Sequence, residues 1–232
     1  MPNTITIRKG LDIPIGGAAE LRLTDARSIR TYAVKPTDFV GLVPRLLVVE
    51  GDAVKVGEAL FCDKNDERIR FTSPVSGQVK AIVRGEKRKL LEVVVEADCT
   101  NTAVYEAPSN AEEIKALMLQ CGLWPMLRQR PFGTIANPDD RPKAIFISAF
   151  DSAPLAPDYD FALQEREEFF KKGIEALTQL TDGTVHVCFR PEQQLAKHLP
   201  SHTSYLTPPT SLRERPTPVG KHRHPNRQNR PY

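Results

Sequence analysis

Two runs of this 232-residue chain echo each other, Val48-Val49-Glu50-Gly51-Asp52-Ala53-Val54-Lys55-Val56-Gly57-Glu58-Ala59-Leu60-Phe61 and Ser73-Pro74-Val75-Ser76-Gly77-Gln78-Val79-Lys80-Ala81-Ile82-Val83-Arg84-Gly85. In each, short alternating apolar stretches are punctuated by Glu-Gly-Asp, Val-Gly-Glu, Ser-Pro or Ser-Gly. Alternation with period two places one set of side chains on a buried face. Glycine supplies positive φ at the turns, and Asp or Ser closes them. The pattern therefore predicts a series of short strands joined by tight turns. Leu90-Leu91-Glu92-Val93-Val94-Val95, within Lys89 to Ala97, adds a longer β-branched strand. Upstream, Ile29 to Val34 and Leu42 to Val49 read as further strands, and Ile5-Thr6-Ile7 as a strand that breaks at Gly10, Pro14 and Gly16-Gly17.

The spacing Gly-Asp-x-Val-x-x-Gly-x-x-Leu from Gly51, followed by Ser-Pro-x-x-Gly-x-Val from Ser73, resembles the barrel-sandwich hybrid of biotinyl and lipoyl carrier domains. That resemblance implies a swinging cofactor on a hairpin lysine, and Lys64, in Phe61-Cys62-Asp63-Lys64-Asn65-Asp66-Glu67, lies close to the corresponding position. However, Asn65-Asp66-Glu67-Arg68 is polar where the lipoyl hairpin carries Ala-Thr, and the hairpin runs longer before Ser73-Pro74. The expectation is a retained fold without its arm. A lipoyl-like carrier module remains the alternative.

Length and composition fit an ordinary soluble protein of one large or two small domains, with 40% hydrophobic and 26% charged residues. The apolar runs are far shorter than the ~20 residues of a membrane span, and the first thirty residues lack a signal-peptide core. The four cysteines, Cys62, Cys99, Cys121 and Cys188, form no Cys-x-x-Cys pair, so zinc and ferredoxin-type cluster spacings are absent. Isolated thiols fit a reducing compartment. The net charge of +3 is misleading, because Pro191 to Tyr232 holds seven Lys/Arg and two Asp/Glu, leaving 25 basic and 27 acidic residues upstream. A nucleic-acid reading would rest on those last 42 residues alone.

After Ala97 the character changes. Ser109-Asn110-Ala111-Glu112-Glu113 predicts a capped helix start, with Ile114, Leu117, Met118 and Cys121 on one face and Gly122 at its end. Cys121 to Gly133 then holds the chain's one tryptophan, with two arginines close by. Trp124, Arg128, Arg130 and Phe132 could stack on and hydrogen-bond a planar, carbonyl-bearing ligand. Alternatively, Trp124 and Phe132 plug a seam while the arginines pair with acids. Lys143 to Asp151 reads as a buried parallel strand, Asp160 to Leu180 as a helix, and Val185 to Phe189 as the next strand. This is a βαβ unit, and no Gly-x-Gly-x-x-Gly follows its first strand, so a dinucleotide site is not supported. His186 and Cys188 share a strand face, which more simply makes them strand residues than a metal pair.

Taken in order, Ile5 to Ile15, Glu50 to Gly57, Phe71 to Gly77, Gly122-Leu123-Trp124 with Leu127-Arg128 and Arg130-Pro131-Phe132, and Ala144 to Ala156 resemble the A subunit of the sodium-translocating NADH:quinone reductase. The resemblance runs from residue 3 to about residue 189. It implies a peripheral, cofactor-free component on the cytoplasmic face of a bacterial inner membrane, partnered by the other subunits. It further implies a complex that passes electrons from NADH through FAD and FMN to ubiquinone or menaquinone and exports Na⁺. On that reading quinone contact falls to Trp124, Arg128, Arg130 and Phe132, with no catalytic or metal-binding residue and no nucleic-acid partner. The relative in the Rnf electron-transport complex shares the barrel-sandwich start but carries cysteine-rich cluster motifs that are missing here.

The expected organisation is a barrel-sandwich hybrid over residues 1–100, the start of an α/β (Rossmann-like) domain over 101–190, and a disordered tail over 191–232. That tail holds eight of the twenty prolines and four of the five histidines. Reverse-translated one nucleotide along, Gly220 to Tyr232 can encode Ala-Asn-Ile-Gly-Ile-Gln-Ile-Gly-Lys-Ile-Ala-Pro, similar to the family's segment after its Gly-Pro-His-Pro motif. The tail is therefore expected to be out of frame and the chain truncated.

Overall fold

In the computed structural model, which describes residues 20–24, 29–98, 105–151, 153, 156–189, 193–200 and 203–206, the two echoing runs pair with each other. Two turns of the first run are built alike. The Val49 N–H donates to the Asp52 carboxylate at 2.9 Å, and the Lys55 N–H donates to the Glu58 carboxylate at 2.9 Å. The Asp52 and Glu58 N–H groups donate back to the carbonyls of Val49 and Lys55 at 3.2 and 3.0 Å. Gly51 and Gly57 hold the third position with φ of +95° and +87°, the left-handed geometry a type II turn demands. Across the gap, Gly51 donates to Val79 O and Val79 to Asp52 O, both at 2.8 Å. Gly57 donates to Ser73 O at 2.9 Å, and Ser73 to Glu58 O at 2.8 Å.

The strands that these turns connect are β1 (Thr31–Val34), β2 (Pro44–Leu46), β3 (Ala53–Val54), β4 (Ala59–Asp63), β5 (Arg70–Thr72), β6 (Gly77–Arg84) and β7 (Leu90–Ala97). They form two antiparallel sheets, ordered β1-β7-β6-β3 and β2-β4-β5. This is the barrel-sandwich architecture expected from the repeats. Its core takes Val79, Val93 and Val95 from one sheet and Leu60, Phe61 and Phe71 from the other. Each such fully buried side chain contributes about 1.5–3 kcal/mol. Phe61 stacks on its cross-strand partner Phe71 at 4.8 Å, and Phe39 meets Phe71 edge-on at 4.7 Å. The strands expected at Ile29–Val34 and Leu42–Val49 are shorter, the first beginning at Thr31 and the second spanning Pro44–Leu46. The expected strand at Ile5 lies outside the described residues.

Helix α1 (Ala111–Gln120) is capped by Asn110, whose side chain accepts the Glu113 N–H at 2.9 Å while Glu113 accepts from the Ser109 N–H at 2.7 Å. Thr72 Oγ1 donates to Cys121 O at 3.2 Å, tying the helix end to β5. Leu119 and Trp124 join the barrel-sandwich core. A short hairpin, β8 (Arg128–Gln129) with β9 (Thr134–Ile135), follows. Then come β10 (Ala144–Ser148), α2 (Tyr159–Ala162), α3 (Glu167–Thr178), β11 (Thr184–Cys188) and β12 (Thr203–Leu206), with a sheet in the order β10-β11-β12.

The described residues divide into two contact units, one of residues 24–145 with 172–185, the other of residues 20–23, 146–171 and 186–206. The second gathers Phe189 and Leu195 as buried apolar residues, and Asp160 accepts the N–H groups of Gln194 and Leu195 at 2.7 and 3.0 Å.

Several expectations are corrected. The single helix read over Asp160–Leu180 is two helices, because the first ends at Ala162 and Glu165, between them, sits at φ +65° outside helical geometry. Phe169, on the second of them, is exposed. Strand β10 is not buried on both faces, since Phe146 and Ser148 are exposed. A helical turn at Gln194–His198 and β12 also lie inside the stretch expected to lack structure. Apolar periodicity is missing there, and the Asp160 contacts that fix it are non-local.

The loop between β4 and β5 is pinned by Arg68, which bonds the carboxylates of Asp66 at 2.7 Å and Asp139 at 2.8 Å. Hydrogen bonds from Arg68 hold both carboxyl pKa values below the usual carboxylate range, and the carboxylates push the pKa of the guanidinium up. A depressed carboxyl value means stability that is complete above the unfolded value and lost as pH falls through the folded one. Arg68→Ala should raise both carboxyl values toward the ordinary carboxylate range, read by carboxyl-carbon NMR titration, and flatten the acid limb of the melting-temperature profile. At Gly77 a Cβ would meet Glu96 O at 1.9 Å, across the β6–β7 ladder. Gly77→Ala should therefore cost about 3 kcal/mol in urea unfolding. Gly51→Ala, where a Cβ meets nothing within 4 Å, should cost only the left-handed strain of about 1–2 kcal/mol.

Candidate functional site

The four residues singled out by sequence sit on one short segment, but the fold does not bring them together. Trp124 opens a helical turn over Trp124–Met126, with Pro125 restricting the backbone just after it. Its side chain is 5% exposed, packs in the barrel-sandwich core, and donates its indole N–H to Ala136 O at 2.8 Å. A buried indole with a satisfied N–H is a structural anchor. It fixes both ends of the segment that carries the β8–β9 hairpin.

Arg128 starts that hairpin. Its guanidinium lies 5.2 Å above the Phe39 ring, a cation–π distance. It also donates to Gly133 O at 3.3 Å and Asp38 O at 3.5 Å. Neither sequence reading anticipated Phe39, which lies far upstream and carries no motif. At the tip, Arg130 is exposed and Phe132 is 81% exposed. Gly133, with φ +70° and its N–H on Gln129 O at 2.9 Å, closes the turn that thrusts Phe132 into solvent. The hairpin tip thus exposes one aromatic ring, Phe132, and one guanidinium, Arg130, while Trp124 on Ala136 and Arg128 on Phe39 hold its base. Chemically, that pair can stack on a flat ring and donate hydrogen bonds to its carbonyl oxygens.

Lys64 is exposed in the β4–β5 loop, with its own N–H on Val43 O at 2.8 Å and Asn65 turned on the Asp63 carboxylate. His186 stacks on Phe146 at 4.7 Å and hydrogen-bonds Ser204, while burial pushes the Cys188 thiol up. Among the described residues no group of three His, Cys, Asp or Glu could hold a metal ion. Cys62, Cys121 and Cys188 are free thiols, and burial raises Cys62 as well; Cys99 lies outside the described residues. The strand β10 leads into Ala149-Phe150-Asp151, which supplies no glycine-rich phosphate cradle. Among the described residues no helix is long and apolar enough to cross a membrane.

Comparison with known proteins follows the same division of the chain. The NqrA N-terminal barrel-sandwich hybrid domain matches residues 5–98, and the NqrA second alpha/beta domain matches residues 109–205, through to β12. The A subunit of the Na(+)-translocating NADH-quinone reductase of Yersinia pseudotuberculosis (strain IP 31758) is 42% identical over 209 residues, covering 87% of this chain and 46% of that protein. The A subunit from Alcanivorax borkumensis is 40% identical over 199 residues, covering 82% of this chain and 44% of that protein. Its counterpart in Neisseria meningitidis serogroup B is 41% identical over 191 residues, covering 79% and 43%. The chain spans less than half the length of these relatives. With both domains matched in order, the chain belongs to the NqrA family, the A subunits of the Na⁺-translocating NADH-quinone reductases.

Proposed function

We propose that this chain serves as a peripheral, cofactor-free part of a Na⁺-translocating NADH:quinone reductase, at the cytoplasmic face of a bacterial inner membrane. In that assembly electrons pass from NADH through flavins on other subunits to ubiquinone or menaquinone, coupled to Na⁺ export. The observation that supports this reading is the match of both domains, in order, to relatives that carry that name. NADH and flavin fall to the partner subunits, because no glycine-rich turn follows β10 to receive a pyrophosphate.

Within the chain, the β8–β9 hairpin is the quinone-facing element. Phe132 offers its ring to the quinone plane, and Arg130 donates to a carbonyl oxygen. Arg128 and Trp124 hold the hairpin in place through Phe39 and Ala136. The barrel-sandwich domain ends near residue 100 and the α/β domain starts near 101. The tail expected to be out of frame spans residues 191–232, but the second-domain family match runs as far as residue 205. The sequence after it is therefore the candidate for a shifted reading frame, which resequencing those codons decides.

The test is reconstitution with the membrane subunits, followed by NADH-driven quinone reduction and Na⁺ uptake. Phe132→Ala and Arg130→Gln should each lower kcat/KM for quinone about tenfold, equivalent to ~1.4 kcal/mol, mainly through KM and with unchanged melting temperature. Trp124→Ala should instead destabilise the chain by about 3–5 kcal/mol. Full quinone reduction at unchanged KM in the Phe132→Ala, Arg130→Gln double variant removes the hairpin from the reading. Failure of the wild-type chain to assemble with those subunits removes the reading itself.

A further inference from the structure

A cleft of about 460 Å³ opens in the barrel-sandwich domain between the loop 36–44 and the tip of the β6–β7 hairpin. Its wall is apolar where Phe39, Val40 and Leu42 line it, and its rim is cationic where Arg84, Arg88 and Lys89 do. The hairpin tip is a closed turn, with the Gly85 N–H on Lys89 O at 2.8 Å and the Lys89 N–H on Glu86 O at 3.1 Å. Arg84 donates to Arg88 O at 3.2 Å, which draws its guanidinium back beneath the tip. Lys87 and Arg88 hold φ of +53° and +61°, a left-handed pair that non-glycine residues seldom adopt. The turn thus carries four cations, Arg84, Lys87, Arg88 and Lys89, against one acid, Glu86.

These charges are not balanced locally. The ion pairs among the described residues engage Arg45, Arg68, Lys80 and Arg141, and none reaches Arg84, Arg88 or Lys89. Apolar side chains are left bare beside them, Val40 at 58% exposure and Val83 at 38%. A free inorganic anion needs the cations but has no use for the apolar wall. A ligand that is anionic at one end and hydrocarbon at the other uses both. We propose that this cleft docks the barrel-sandwich domain on an anionic lipid surface. A lipid phosphate lies between Arg84, Arg88 and Lys89, and the glycerol–acyl boundary rests on Val40 and Phe39. Cations at an anionic interface act within a Debye length and are joined by shallow apolar insertion, the two-signal pattern of peripheral membrane binding. The proposal stands on the cleft alone, and quinone kinetics do not enter its test.

The experiment is co-sedimentation of the 232-residue chain with vesicles of phosphatidylcholine alone and of phosphatidylcholine doped with phosphatidylglycerol. Binding is expected on the anionic vesicles only, weakening with salt. The triple variant Arg84→Gln, Arg88→Gln, Lys89→Gln should lose roughly tenfold or more in partition, whereas Arg45→Gln with Lys80→Gln, on cations already paired, should lose little. Val40→Ser should weaken the salt-resistant remainder. A melting curve for each variant confirms folding, and Lys87→Glu, at the exposed tip, supplies a second, single-site reading in the same direction. Three results would overturn the proposal. The first is no preference for anionic vesicles. The second is partition unchanged in the triple variant, which assigns binding to the basic residues after β12. The third is displacement by millimolar inorganic phosphate at constant ionic strength, which marks a free-anion pocket.

Discussion

The structure depends on the reciprocal backbone pairing of two short runs, Gly51-Asp52 with Val79 and Gly57-Glu58 with Ser73. Four hydrogen bonds at 2.8–2.9 Å fix the register between them. Because side chains alternate with period two, a slip of one residue would send Val79, Val93 and Val95 to solvent. The turns make such a slip costly, since each needs glycine in one position and a carboxylate in the next. Asp52 and Glu58 accept the very amides that the turns would otherwise leave unpaired. Gly77 adds a steric condition of its own, because the strands approach so closely there that no side chain fits.

On this frame the rest of the first unit is assembled by packing. Phe61, Phe71 and Phe39 form a connected aromatic series at centroid distances of 4.7–4.8 Å. Its outer ring, Phe39, carries the Arg128 guanidinium. The same core that closes the sheets thereby positions one foot of the β8–β9 hairpin. Trp124 positions the other from within the core, through Ala136. The exposed pair at the hairpin tip, Arg130 and Phe132, is therefore presented by a rigid support, although the tip itself touches little. Rigid presentation is what a contact surface for a flat ligand or a partner requires, because little order has to be gained on binding.

The segment from Asp160 onward is held by different means. Asp160 is at once near the start of α2 and the acceptor for two amides of the turn that begins at Gln194. Those bonds order a stretch that has no periodicity of its own. His186, the strand histidine, is likewise occupied by Phe146 and Ser204.

The sequence by itself determined the glycine turns and most strands of the barrel-sandwich domain, the capped start of α1 at Ser109-Asn110, and the family. Glycine, acid and alternation act over a few residues, so a linear reading captures them. It also singled out the segment between residues 124 and 132 through its density of Trp, Arg and Phe. Tertiary structure alone decided which of these four side chains is core and which is surface. Burial of Trp124 depends on the facing sheets, and the seat of Arg128 on the ring of Phe39, far upstream of it. The break at Glu165 and the ordering of Gln194 are equally non-local. The cationic cleft belongs to the same class. Arg84-Gly85-Glu86-Lys87-Arg88-Lys89 reads as an ordinary solvated turn until the fold lays Phe39 and Val40 against it. Charge and hydrophobicity are written along the chain, but the distance between them is set only when the sheets close.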